Sequence, residues 1–188
     1  FELPELKLLV DAVQSSRFIT RKKSDALIRK LEGLASRYEA QSLQRQVYAV
    51  GRVKSMNESI YYSIDTIHTA ISQDRQIAFR YFEWTMEKTV RYRRDGQLYE
   101  RSPYALVWDD ENYYLVAYDH TASPPGIRHY RVDKMANLSV LEESRLGKAT
   151  FDGFDMAQYA KQMFGMFGGA QQDVELRFAA RLAGVVLD

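Results

Sequence analysis

The sequence predicts an α+β protein: helices first, a curled antiparallel sheet in the middle, and the start of a small second α+β unit at the end. Three observations carry this. Apolar residues recur with a helical period up to about Gln73. The period then drops to two. The strand-like runs that follow are separated by short turn signals with no helical crossover between them, as antiparallel pairing requires. Five or six short strands in so little chain should close into a small barrel.

Composition sets the outer bounds. The 188 residues are 46% hydrophobic and 27% charged, which suits one domain or two small ones and excludes a mainly disordered chain. No apolar run approaches 18 residues, so no membrane helix is expected. The opening FELPELKLLV lacks the basic start and cleavage site of a signal peptide. Cysteine is absent, which removes disulfides, thiolate metal sites and cysteine nucleophiles, and suits a reducing cytoplasm. A net charge of +1 means that any nucleic-acid role must come from a local patch. Residues 1–56 hold eleven Lys/Arg against six Asp/Glu, whereas residues 76–143 hold nine against eleven.

The first helix starts at Pro4, harmless in a first turn, and runs along Leu6, Leu9, Val10 and Val13 to Ser15-Ser16. A second starts between Thr20 and Ser24, shows Leu27, Ile28, Leu31 and Leu34 on one face, and ends near Gly33. Two helices joined by a short turn and carrying Arg17, Arg21, Lys22, Lys23, Arg29 and Lys30 have the outline of a DNA-reading helix-turn-helix. The cations lie at the turn and on both sides of the second helix, however, so a packing or dimerisation segment is the favoured reading. Residues 37–56 are polar and carry no clear period. Asn57 then caps a helix over roughly 58–73, with Ile60, Ile64, Ile67 and Ile71 on its inner face.

Ile77, Phe79 and Tyr81 alternate as a strand, as do Val90 and Tyr92. Asp95-Gly96 is a two-residue hairpin signal. A strand from Gln97 to Trp108 contains Pro103, which implies an edge or a bulge. Tyr113–Tyr118 is almost continuously apolar and should be a buried central strand. Ile127–Val132 and Asn137–Leu141 complete the set. Beyond it come a short helix at 155–164, a glycine-rich break at 165–169, a strand at 173–178 and the start of a helix at 181–187. The chain opens on Phe1 and stops inside an apolar run, which suggests a piece of a longer protein.

Three blocks in the sheet region carry a resemblance: Ser102-Pro103-Tyr104-Ala105-Leu106, Tyr113 to Asp119, and Ile127 to Met135. In this order and spacing they resemble the WYL domain, named for a Trp-Tyr-Leu tripeptide that here reads Tyr113-Tyr114-Leu115. The match covers roughly residues 70–145. The tail from Met163 resembles the start of the extension that often follows this domain, and the leading helices resemble the linker of bacterial WYL regulators. The resemblance implies a five-stranded Sm-like barrel that senses a ligand, in some members a nucleic acid, within a transcriptional regulator whose DNA reader lies upstream. Some members are accessories of CRISPR or other defence loci. Tyr99 stands where the family often has Arg; Arg131 matches a basic position of the last block, and Lys134 replaces a common Arg.

The candidate site follows from cations interleaved with aromatics. Arg91 and Arg93, two apart on a strand, share a face. Arg128 and Arg131 lie in a separate segment, and with them four guanidiniums would surround an anion. Tyr81, Tyr113, Tyr114, Tyr130 and His129 would supply stacking faces, and Lys134 a further charge. For Tyr114 and Leu115 a core role is favoured over ligand contact, and Arg131 has Asp133 as a possible partner. No H-E-x-x-H, P-loop or G-x-S-x-G occurs, so a non-enzymatic role is expected. Asp109-Asp110-Glu111 is read as a solvated turn rather than a metal site.

These readings give a helical linker over 1–56, a barrel with its leading helix over 57–145, and the truncated extension over 146–188. The expected partners are DNA through an upstream domain, an anionic effector or single-stranded nucleic acid in the barrel, and a second copy in a homodimer. No cofactor and no membrane are expected.

Overall fold

The computed structural model describes residues 1–36, 40, 54, 57–161, 175 and 177–179. Most of the polar stretch 37–56, and the expected tail strand, tail helix and glycine-rich break, lie outside the described residues. No helix among the described residues is long and apolar enough to cross a membrane.

Helices α1 (Leu3–Ser15) and α2 (Arg21–Glu32) form where the periodicity placed them. A capping box between Glu2 and Glu5 starts α1, and the Thr20 hydroxyl accepts the Lys23 amide at 3.2 Å to start α2. The inward face is narrower than the sequence stripe: Leu6, Val10, Ser24 and Ile28 are buried, while Leu9 and Leu34 are exposed. The ammonium of Lys54 donates to the Val13 and Ser16 carbonyls and to the Ser24 hydroxyl at 3.2, 2.9 and 2.8 Å. It thereby caps α1 and ties it to α2.

Helix α3 (Ile60–Ser72) buries Ile60, Ser63, Ile67 and Ala70 against the sheet. Asn57 acts just ahead of it, accepting the Ser59 amide and hydroxyl at 2.9 and 2.7 Å. The core continues into Ile77, Phe79, Tyr99, Leu115, Tyr130, Val132 and Met135. Full burial of an aliphatic side chain contributes about 1.5–3 kcal/mol, so this one cluster dominates the stability of the domain.

The sheet comprises β1 (Arg75–Trp84), β2 (Val90–Tyr92), β3 (Tyr99–Asp109), β4 (Asn112–Asp119), β5 (Gly126–Arg131) and β6 (Met135–Ser144). All pairs are antiparallel. Strand β1 is the hub, pairing with β2, β3 and β6; β3 pairs with β4, and β4 with β5. Register shifts in the β1–β6 and β3–β4 ladders bend the sheet, the second at Pro103, as its sequence position implied. The result is a curled half-barrel. Strands β5 and β6 meet through a 3-10 turn at Val132–Lys134, and the Tyr81 hydroxyl reaches across from β1 to accept the Arg131 amide at 3.1 Å. Strand β4 is the buried central strand, with Leu115, Val116 and Ala117 fully covered.

One pairing differs from the sequence reading. Arg94, Asp95 and Gly96 do form a left-handed turn, with φ of 50°, 51° and 78°. It does not join β2 to β3 as a hairpin. Strand β2 instead folds back on β1, where Phe82 faces Tyr92 and Trp84 faces Val90. Cross-strand aromatic and β-branched pairs stabilise that partner choice. The turn then carries the chain to β3, which pairs with the earlier part of β1.

After the sheet come α4 (Lys148–Phe151) and α5 (Met156–Lys161). Gly147, at φ 82°, precedes α4 against the Tyr118 ring, where a Cβ would lie 2.3 Å from Cγ. Phe151 stacks on Tyr104 at 3.7 Å, and Tyr159 meets His129.

Candidate anion and nucleic-acid site

The curl of the sheet opens a cleft of about 770 Å³ between the 93–94 turn, β4 and β5. Seven of the side chains singled out from sequence line it: Tyr81, Arg93, Tyr114, Arg128, His129, Tyr130 and Arg131. Arg94, Tyr99 and Asp119 join them. Tyr114 therefore faces the cleft rather than the core, because alternation on β4 sends it to the opposite side from Tyr113 and Leu115.

The four cations are in different states. Arg93 lies 5.5 Å over the Tyr81 ring, and its Nε donates to Glu83 at 3.3 Å. Arg131 donates from Nε and Nη2 to the two Asp133 oxygens at 3.0 and 2.9 Å, and from Nη2 to Asn112 at 2.8 Å. The Asp133 bond holds the Arg131 proton more firmly than usual despite partial burial. Arg94 sits 4.8 Å over the Tyr99 ring, and Arg128 donates to the carbonyl of Ile127 at 2.8 Å. Neither has a carboxylate partner among the described residues.

The walls are mostly structural. Tyr81, Tyr99 and Tyr130 are buried about Phe79, Tyr81 and Tyr130 edge-on to its ring and Tyr99 stacked on it at 5.6 Å. Burial pushes the Tyr81 and Tyr130 hydroxyls up, so they stay neutral and serve as hydrogen-bonding groups. The half-buried Tyr114 and His129 offer more open faces. Burial, then the charge of Arg128, holds the His129 imidazole below its ordinary value, and its Nε2 lies 3.1 Å from the Tyr159 hydroxyl.

Beneath the cleft lies a residue that strand alternation alone could not single out. Arg101 is 1% exposed; its Nη2 meets Asp119 at 2.8 Å and its Nε donates to the Tyr130 hydroxyl at 2.7 Å. Asp119 in turn accepts from the Thr121 amide and hydroxyl and from the Ala122 amide at 2.9, 2.7 and 3.1 Å. The signal was an arginine two residues before Pro103 on the strand expected over Gln97 to Trp108, but only its neighbours show that it is interior.

Three of the sequence-stated candidates stand away from the cleft lining. Arg91 points to the shared Glu83, outside the cleft. Tyr113 packs on Trp108 and on Phe18 of the α1–α2 connector, at 4.6 and 5.4 Å. Lys134 is part-buried beside Arg131, and burial lowers its affinity for a proton. A second cleft of about 410 Å³ lies on that other side, between Arg17 and Phe18, the turn joining β3 to β4, and the β1–β2 hairpin.

No curated protein sequence matches the chain. Among solved structures it is similar to proteasome accessory factor B/C (PafBC) of Arthrobacter aurescens, with 22% identity and a TM-score of 0.38. That match covers 80% of this chain, which spans only 22% of the length of PafBC. Residues 63–140, from within α3 to within β6, match the WYL domain. Residues 63–140 are thus the chain's WYL domain.

Proposed function

We propose that this chain is the effector-sensing part of a WYL-family DNA-binding transcriptional regulator, whose cleft takes an anionic, nucleotide-like or single-stranded nucleic-acid ligand. One observation carries the reading: four arginines from two separate segments converge on one cleft, and two of them, Arg94 and Arg128, have no carboxylate partner among the described residues. Unpaired guanidiniums at a half-enclosed surface bind phosphate by charge-assisted, often bidentate hydrogen bonds. Tyr114 and His129 supply faces for a base. The effector would act by favouring one arrangement of the preceding helices, and two copies would pair to space the DNA readers.

The charge distribution supports a second reading, an RNA- or single-stranded-DNA-binding accessory without ligand sensing, since the cationic excess lies in residues 1–56. Titration with labelled oligothymidylate and with single nucleotides at several salt concentrations separates the two. Selective binding of one short ligand, weakened by Arg128→Ala, supports the sensor. Length-dependent, steeply salt-sensitive binding that Arg128→Ala leaves unchanged supports the accessory.

A further inference from the structure

Among the described residues, Arg131 alone lines both clefts. Its guanidinium is committed to the second one through Asp133 and Asn112. Asn112 stands at the end of the β3–β4 turn, where its Nδ2 donates to the Asp110 carbonyl at 2.6 Å. The two central residues of that turn, Asp110 and Glu111, have φ of 42° and 59°. Neither is glycine, and non-glycine residues in the left-handed region persist where their surroundings hold them there.

Arg131 holds the turn from one side through Asn112. From the other side, Arg17 of the α1–α2 connector pairs with Glu111 at 3.4 Å. Next to it, Phe18 rests edge-on against Trp108 and Tyr113 at 5.1 and 5.4 Å, one ring from each strand of the same hairpin. The segment before α3 joins this knot through Asn57, whose Nδ2 donates to the Asp133 carbonyl at 3.1 Å. The seating of the helical connector and the availability of Arg131 to the cleft thus meet at one turn, held by the Arg131–Asn112 hydrogen bond on one side and by the Arg17–Glu111 ion pair and the Phe18 ring contacts on the other.

We propose that Arg131 is a relay residue. An anion in the cleft draws its guanidinium away from Asn112, the 110–112 turn loosens, and the Arg17–Phe18 connector is released from the hairpin. The trigger rests on the anion-binding reading of the cleft. The energetic requirement is that the anion bind the swung state more tightly than the clamped one. Linkage then requires the converse: loosening the clamp strengthens anion binding by the same factor.

Hydrogen exchange on the full chain, with fluorescein-labelled oligothymidylate as the probe, tests this. Saturating probe should speed exchange at 16–20 and 110–112 while 115–117 stays protected. Arg131→Ala should do the same without probe. Asn112→Ala, which leaves the cleft lining intact, should also free 16–20 and should bind the probe about fivefold tighter or more, a change worth about 1 kcal/mol. The relay is overturned if neither variant raises exchange at 16–20, or if Asn112→Ala binds the probe no better than the parent. If Arg131→Ala raises exchange everywhere, Asn112→Ala decides. A parent that binds no probe overturns the reading of the cleft, and the unliganded exchange of the two variants then decides the relay by itself.

Discussion

Arg101 beneath the cleft and Arg94 on its rim share the Tyr99 ring, their guanidiniums lying 5.1 and 4.8 Å from its centroid. In other respects they differ. Arg101 is 1% exposed and meets Asp119, Tyr130, Thr121 and the Glu100 carbonyl. Arg94 is exposed and has no carboxylate partner among the described residues. A buried charge must be fully partnered, because its desolvation is otherwise uncompensated; an exposed one keeps its water and stays available. The same side chain therefore serves as framework in one place and as a candidate for recognition in the other.

The sharpest way to break this contrast is to truncate both. Arg101→Ala strands the Asp119 carboxylate in the interior and should cost about 3–5 kcal/mol in urea denaturation. Arg94→Ala should change stability by no more than about 0.5 kcal/mol. Comparable losses in the two variants would mean that the distinction is wrong.

Binding should show the reverse order. Arg128→Ala removes a charge-assisted contact and should weaken capture of a phosphate-bearing ligand by about 1.5–3 kcal/mol, with unfolding midpoints unchanged. Fluorescence anisotropy and a melting curve on the same samples check both halves.

Acid should act on the framework through Asp119. Burial raises its carboxyl, but the Thr121 hydroxyl, the Arg101 charge and the Thr121 and Ala122 amides together hold it below the ordinary value. A lowered folded-state value contributes stability above the unfolded value, about 3.9, which is lost as the pH falls through the folded one. Asp119→Asn should flatten this part of the acid-unfolding curve.

The smallest effect belongs to His129, whose folded-state value is lowered by burial and by Arg128. The folded state favours the neutral ring, so its contribution is complete above about pH 6.5 and is lost as the pH falls from there through the folded value. His129→Gln should remove that mild-acid slope, and Arg128→Ala should move it to higher pH. A slope unchanged in both variants would show that another group titrates there.

Much of this arrangement was legible from side-chain pattern. Tyr81, Arg93, Arg128, His129 and Arg131 do meet around one cleft. Alternation alone does not give this, since the adjacent Arg128 and His129 point to opposite faces; β5 ends the strand order, so residues from both of its faces reach the cleft. For Tyr114 the core reading was favoured over a stacking role, because an apolar run gives no sign of which of its faces an open half-barrel leaves uncovered. Arg91 shows a different limit: its spacing from Arg93 put both near Glu83, but Glu83 lies eight and ten residues away, across a hairpin whose partner strand the Asp95-Gly96 signal misassigned.

The sequence by itself determined the order of helices and strands, the α+β class, the central place of β4 and an edge or a bulge at Pro103, since period, capping and proline chemistry act over a few neighbouring residues. Only the tertiary structure decided which strand β2 joins, which arginine is interior and which cations keep a carboxylate. Those outcomes depend on groups far apart in the chain. The desolvation that makes Arg101 framework arises only when Asp119, Tyr130 and the Tyr99 ring close around it.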